Sequence, residues 1–284
     1  LNRMIVSLKE IQNKTVQFFT SKGVDNAKLD ADLILAHALE IKRLDLYLNL
    51  ERGITEAELN TIRELVRRRG NREPLQYILG ETNFYGCHLK ADNRALIPRH
   101  ETEFLVEECM GFIQQGSRVL DLGTGSGAIA LAIANAIEGV QLTAVDKEAT
   151  ALALAKENAK LLGLDSRIEF VQSDWLSQLT NAAPFDLIIS NPPYLTSEEL
   201  KSAAPEVAEY EPVKALVSKE AGLHDLKQIL MQAQSYLAPK GTIALETGIK
   251  HHKALTEHAR ALGYSKVISK QDLNKLPRFL FIEA

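Results

Sequence analysis

Apolar and polar positions alternate in two textures along this chain, one helical and one of mixed strands and helices. In "AKLDADLILAHALEI", Leu29, Leu33, Leu35, Ala36, Leu39 and Ile41 fall largely on one stripe of a helix. "ITEAELNTIRELVRR" opens with Thr55 and Glu58 at capping-box spacing. Pro74 suits the first turn of a short helix "PLQYI" that Gly80 ends. Residues 1–80 therefore read as an all-helical domain. From Asn83 aromatic and β-favouring residues flank the turn-prone Ala91, Asp92 and Asn93, so residues 81–103 read as a hairpin linker. Residues 104–284 then alternate: strand 117–122, helix 128–137, strand 140–145, helix 149–162, strands 167–171 and 185–190, helix 222–237, strand 242–247, helix 251–262, and strands near 266–269 and 278–283. Strands and helices in that succession predict an α/β domain with a mostly parallel, doubly wound sheet. No helix separates the last two strands, so an antiparallel pair is expected to close it.

Composition narrows the partners. A net charge of -4, with 45% hydrophobic and 25% charged residues, gives no global pull toward nucleic acid or anionic lipid. No apolar run approaches the ~18 residues of a membrane span, and the N-terminal segment has no signal-peptide core, so the chain reads as cytoplasmic. Cys87 and Cys109 form no CxxC pair and have no histidine at ligand spacing, so reduced thiols and no metal are expected. The seven histidines, including His251 and His252, read as surface residues.

Chemistry concentrates at strand ends. Gly123, Thr124, Gly125, Ser126 and Gly127 follow the apolar strand "RVLDL" and precede the helix "AIALAIANAI". Glycines there allow a tight turn and close approach of a ligand, while the helix start offers free N–H groups. The spacing also satisfies the dinucleotide fingerprint, and no Lys-Ser or Lys-Thr follows, which excludes a nucleoside-triphosphate P-loop. Asp146 ends the next strand, where a carboxylate can accept both hydroxyls of a ribose. Asp174 and Trp175 end the third, suited to an adenine amine and ring. Carboxylates at three strand ends, Asp121, Asp146 and Asp174, suit a cationic ligand better than a pyrophosphate. That tilts the reading toward S-adenosylmethionine, with loop capping the plainer alternative for Asp121.

The strand "FDLIIS" runs into Asn191-Pro192-Pro193-Tyr194. Each proline removes an N–H and stiffens the backbone, leaving an arc that displays oxygens at the ligand edge of the sheet. A planar NH2 group fits it: the Asn191 side-chain oxygen and the Pro192 carbonyl accept its two hydrogens while Tyr194 covers its π face. The chemical step is assigned to Asn191, Pro192 and Tyr194, and no side-chain base is required.

These residues carry a family resemblance. Asn191 to Tyr194 match a motif shared by amino methyltransferases that act on planar nitrogens. "DLGTGSGAIALAIA", "PLQYILGETNFYG", "LIPRHETE" and "EYEPVKALVS" resemble segments of the HemK/PrmC family, the N5-glutamine methyltransferases of peptide chain release factors, over nearly the whole chain. The resemblance implies a Rossmann-like, seven-stranded methyltransferase domain behind a small helical substrate-recognition domain. It implies S-adenosylmethionine contacts at Gly123 to Gly127, Asp146, Trp175 and Asn191, and glutamine contacts along Asn191, Pro192, Pro193 and Tyr194. Glu101, Thr102 and Glu103 are expected near the methionine end or the glutamine entrance. The implied acceptor is the Gly-Gly-Gln glutamine of class-1 release factors in translation termination, gripped by the helical domain and hairpin, to which the basic run Arg67 to Arg69 is a candidate contributor. No membrane and no stable nucleic-acid partner are expected. His100 stands where the family commonly has proline, and "ETGIKHHKAL" departs from a stretch usually containing Gly and Gln. A ribosomal-protein glutamine methyltransferase, an adenine-N6 nucleic-acid methyltransferase, a NAD-dependent oxidoreductase and a noncatalytic binding module stay open as rivals.

Overall fold

The computed structural model describes residues 6–180 and 184–284. The chain forms two compact units: one runs to Gly80 and takes in Ala204–Tyr210, and the other comprises Glu81–Ala203 and Glu211–Ala284.

The first unit contains helices Leu8–Ser21, Ala27–Ala38, Arg43–Leu48, Glu56–Gly70 and Leu75–Leu79. Thr55 and Glu58 form the reciprocal capping box their spacing predicts, and Gly80 ends the last helix in the left-handed conformation at φ 76°. Of the stripe predicted for the second helix, Leu35 and Ala36 are buried and Leu39 and Ile41 pack against the same core, but Leu29 is 39% exposed and Ala27, Ala31 and Ile34 are buried as well. The cause is that this helix serves two cores. Leu35 and Ala36 pack with Leu8, Ile11 and Ile62, whereas Ala31 and Ile34 pack with Phe19, Val24 and Ile78. Arg67 to Arg69 form no free basic patch. Arg67 pairs with Glu64 and Arg68 with Glu73, while the buried Arg69 lies between Asp30 (2.7 Å) and Glu206 (2.8 Å). Arg72 also holds Glu206, at 2.7 Å.

The second unit opens with a hairpin of β1 (Glu81–Phe84) and β2 (Cys87–Lys90). Its turn is Tyr85-Gly86, with φ of 45° and 78°, rather than the predicted residues 91–93. Positive φ at both positions matches the twist of the flanking strands, and Gly86 adopts it freely. Asp92 instead accepts from the Arg94 amide at 3.0 Å and pairs with its guanidinium. Phe84, Cys87 and Leu89 enter the sheet domain's core, so the hairpin is part of that core.

The main sheet contains β3 (Arg118–Leu122), β4 (Gln141–Asp146), β5 (Ile168–Gln172), β6 (Phe185–Ser190), β7 (Leu237–Glu246), β8 (Lys266–Gln271) and β9 (Pro277–Glu283), ordered β5-β4-β3-β6-β7-β9-β8. All neighbouring pairs are parallel except those made by β9, which inserts between β7 and β8 as the antiparallel closure. β7 begins five residues before the predicted 242, and the preceding helix is shorter than expected, His224–Ala233. The order reverses between β3 and β6, whose carboxyl ends Ser190 Oγ ties together by donating to the Leu122 carbonyl at 2.6 Å. Ligands of open α/β sheets bind at such a reversal. Among the described residues no helix is long and apolar enough to cross a membrane.

Candidate functional site

The loop after β3 turns through three glycines with positive φ: Gly123 (72°), Gly125 (57°) and Gly127 (84°). The amides of Gly123 and Thr124 both donate to the Val145 carbonyl at 2.8 Å, which seats the loop on β4. Asp146, the last residue of β4, accepts from the Gly125 amide through one oxygen and from the Glu148 amide through the other, each at 2.9 Å. Burial raises its pKa and those two amides work against the rise. Gly127 packs instead of lining the cavity: a Cβ there would come within 3.0 Å of Leu131 and 3.2 Å of Ala155.

Asp121 lies under this loop, fully buried. Oδ2 accepts from the Thr124 hydroxyl at 2.6 Å and from the Ala130 amide at 3.2 Å, while Oδ1 has no partner. Burial pushes its carboxyl up to about 7. Asp121 does not line the cavity beside this loop, so the structure gives it the loop-capping role rather than a direct contact with a cationic ligand.

Beyond β5, Trp175 adopts a left-handed backbone at φ 51° and turns its ring over Gly123, 3.4 Å from where a Cβ would stand. Its indole N–H donates to Asp225 at 3.2 Å, and Asp174 is 2.7 Å from the Lys147 ammonium. Gly123 to Ser126, Asp146, Asp174, Trp175, Asn191 and Pro193 line one cavity of about 680 Å³. Pro192 and Tyr194 are not in its lining.

At the end of β6 the Asn191 amide donates to Thr102 Oγ1 at 3.0 Å, and the Thr102 hydroxyl donates to Glu246 at 2.7 Å. Tyr194 donates its phenol O–H to the other Glu246 oxygen at 2.9 Å. Burial and the Glu246 charge push the phenol pKa far up, and burial raises Glu246. Tyr194 packs against the core beneath the strand ends, where it braces the motif. The backbone here is crowded as well: Gly222, at φ 86°, lies so close that a Cβ would stand 2.2 Å from the Tyr194 carbonyl.

Thr102 thus reaches Asn191, whereas Glu103 is turned to the Tyr85 amide (2.8 Å) and His100 is solvent-exposed at the start of helix His100–Met110. Sequence reasoning missed Glu246, Arg99 and Glu211. Arg99 lines the cavity and pairs at 2.7 Å with the buried Glu211, which also accepts from the Ile97 amide. Arg99 and Glu211 stand in "LIPRHETE" and "EYEPVKALVS", a signal without an assigned role. His251, expected on the surface, is buried, with Nε2 3.0 Å from the Ala221 carbonyl.

Residues 10–80 match the family model described as the PrmC N-terminal domain, and residues 100–209 match the methyltransferase small domain. A Chlorobaculum tepidum protein named release factor glutamine methyltransferase is 39% identical over 286 residues, spanning 96% of each chain. A Fusobacterium nucleatum protein of the same name is 39% identical over 251 residues, 87% of this chain and 71% of the relative. The solved hMettl16 catalytic domain superposes with a TM-score of 0.58 at 20% identity, covering 78% of this chain and 80% of that one, a likeness of fold alone. With its fold, its glycine loop and relatives of this identity over nearly its whole length, the chain belongs to the release factor glutamine methyltransferase family.

Proposed function

We propose that this protein transfers the methyl group of S-adenosylmethionine to the side-chain amide nitrogen of the glutamine in the Gly-Gly-Gln loop of class-1 peptide chain release factors. The observation that carries this reading is that Asn191 and Pro193 line the same cavity as the glycine loop, Asp146 and Trp175. The residues suit the donor: Asp146 stands at the ribose position of the fold and Trp175 offers a ring face. When bound, S-adenosylmethionine supplies a methyl carbon activated by a sulfonium.

The protein's part is to hold a reluctant nucleophile. A carboxamide nitrogen has a delocalised lone pair, and no ordinary side chain deprotonates it at neutral pH. Asn191 Oδ1 has no hydrogen-bond partner among the described residues, so it is available to accept one N–H of the glutamine. The Pro192 carbonyl is the second acceptor in this reading, which requires the motif to turn on binding, since Pro192 does not line the cavity. Positioning contributes roughly 7–11 kcal/mol in favourable systems and each charge-assisted hydrogen bond roughly 1.5–3 kcal/mol, so orientation is the larger share. Two glycines before the acceptor glutamine let the substrate backbone approach the cavity closely.

The test is incubation with labelled S-adenosylmethionine and, separately, a release factor, its Gln-to-Ala variant, a large-subunit ribosomal protein and an adenine-rich oligonucleotide. Label confined to the intact release factor supports the proposal, and label in the oligonucleotide or the ribosomal protein alone rejects it.

A further inference from the structure

The buried carboxylate of Glu246 has no place in the transfer step, yet two hydroxyls converge on it. It ends β7, is 1% exposed, and receives Thr102 Oγ1 on one oxygen and the Tyr194 phenol on the other, at 2.7 and 2.9 Å. Among the described residues no cation touches it, and Arg278 lowers its pKa only from a distance. Burying a carboxyl group is costly, and an apolar residue of similar volume would avoid the cost. What an apolar residue cannot do is dictate which way neighbouring hydroxyls point.

That direction can be followed outward. Each Glu246 oxygen accepts from one of the two hydroxyls, so both hydroxyl protons point to Glu246. Thr102 has a single proton, and with that proton committed its oxygen offers Asn191 nothing but lone pairs. Only the NH2 end of the Asn191 amide can meet them, at 3.0 Å. The amide oxygen is thereby left free beside the cavity, the orientation needed to accept a hydrogen from a substrate nitrogen. The same carboxylate anchors the phenol of Tyr194, three residues further along the motif. Thr102 and Glu246 are 144 residues apart in the chain, so the arrangement exists only in the folded domain.

We propose that Glu246 is a positioning residue for methyl transfer: acting through Thr102 and Tyr194, it locks the Asn191 amide with its oxygen toward the acceptor nitrogen. The proposal rests on the activity proposed above. Replacing Glu246 by glutamine keeps the shape and breaks the logic, because the new NH2 can donate to Thr102, free its proton for Asn191 Oδ1, and flip the amide.

The experiment compares wild type, Glu246→Gln, Thr102→Val and Thr102→Ser with a purified release factor and labelled S-adenosylmethionine, reading kcat and KM separately alongside melting temperature and S-adenosylhomocysteine affinity. Glu246→Gln and Thr102→Val are expected to lose kcat by about 30-fold or more, with KM and product affinity within about threefold. Thr102→Ser, which keeps the hydroxyl, should stay within about threefold of wild type. Solvent exchange of the Asn191 side-chain NH2 protons, followed by NMR without substrate, should be slow in wild type and Thr102→Ser and fast in Thr102→Val. Wild-type kcat in Glu246→Gln, Thr102→Ser as impaired as Thr102→Val, or equal NH2 exchange in all four overturns the proposal. If Glu246→Gln does not fold, the valine and serine pair decides. A wild-type protein that labels no release factor refutes the activity instead, and the exchange measurement still judges the Asn191 orientation.

Discussion

The imidazole of His251 holds the carbonyl of Ala221 at 3.0 Å, closing a turn in which Glu220, Ala221 and Gly222 all have positive φ. A bond to a carbonyl needs a proton on Nε2, so in the neutral ring Nδ1 bears the lone pair, and Nδ1 is buried without a partner. Non-glycine residues in this conformation cost about 1–3 kcal/mol each, so the clamp holds stored strain. His251→Ala is expected to destabilise the protein by about 1–3 kcal/mol in denaturant titration, while His251→Gln, which can donate to the same carbonyl, stays close to wild type.

Stability should fall on acidification through the same pair of histidines. Burial lowers His251 below the usual histidine value, and burial with the nearby His251 and Arg278 lowers His252 to about 4. A depressed folded value means that stability is complete above the unfolded pKa of about 6.5 and is lost as pH falls from there toward 4. Thermal melts between pH 7.5 and 5 should show the loss, with a smaller slope in His251→Gln. Glu199 opposes the effect at His251 and Lys250 reinforces it.

Asp121 gives folding the opposite dependence. Its carboxyl is raised to about 7 by burial, so its contribution is present below its unfolded pKa of about 3.8 and is lost as pH rises through 7. Denaturant titrations between pH 5.5 and 8 should show that loss, and Asp121→Asn should flatten it.

Asp146→Asn should weaken binding of S-adenosylhomocysteine by about tenfold or more. The two carboxylate oxygens each accept a backbone amide, from Gly125 and from Glu148, so an NH2 on either side faces another donor. Isothermal titration reads the loss, and an unchanged melting temperature would place it in the loop.

Arg69→Met should destabilise the helical unit by about 3–5 kcal/mol, because Asp30 loses its guanidinium and Glu206 keeps only Arg72. Hydrogen exchange at residues 204–210, followed by mass spectrometry, should accelerate in the same variant.

Much of this was legible before the structure. Strand and helix periodicity placed the sheet, because each of its elements is a local pattern. Glycines and paired prolines placed the cavity-lining loops, because both residue types act on their own backbone. The turn of the hairpin was misplaced since Asp92 and Asn93 are stronger turn formers than Tyr85, although Gly86 was a signal. The second helix was read in part: Leu35, Ala36, Leu39 and Ile41 do face a core, but a second core claims Ala31 and Ile34, which no single stripe reveals. Glu246 and Glu211 were illegible for a different reason. A carboxylate acquires its role from burial and from partners over a hundred residues away, such as Thr102 and Arg99, and neither leaves a local pattern.

The excursion of Ala204–Tyr210 into the helical unit bears on any attempt to dissect this protein. Severing the chain after Gly80 would not yield two self-sufficient modules. The catalytic piece would carry Glu206 stripped of both its guanidinium groups, and the helical piece would retain Arg69 with Asp30 alone. Non-contiguous in sequence, the smaller unit completes itself only once the chain has passed the Asn-Pro-Pro-Tyr motif, so its assembly during synthesis must await more than two hundred residues.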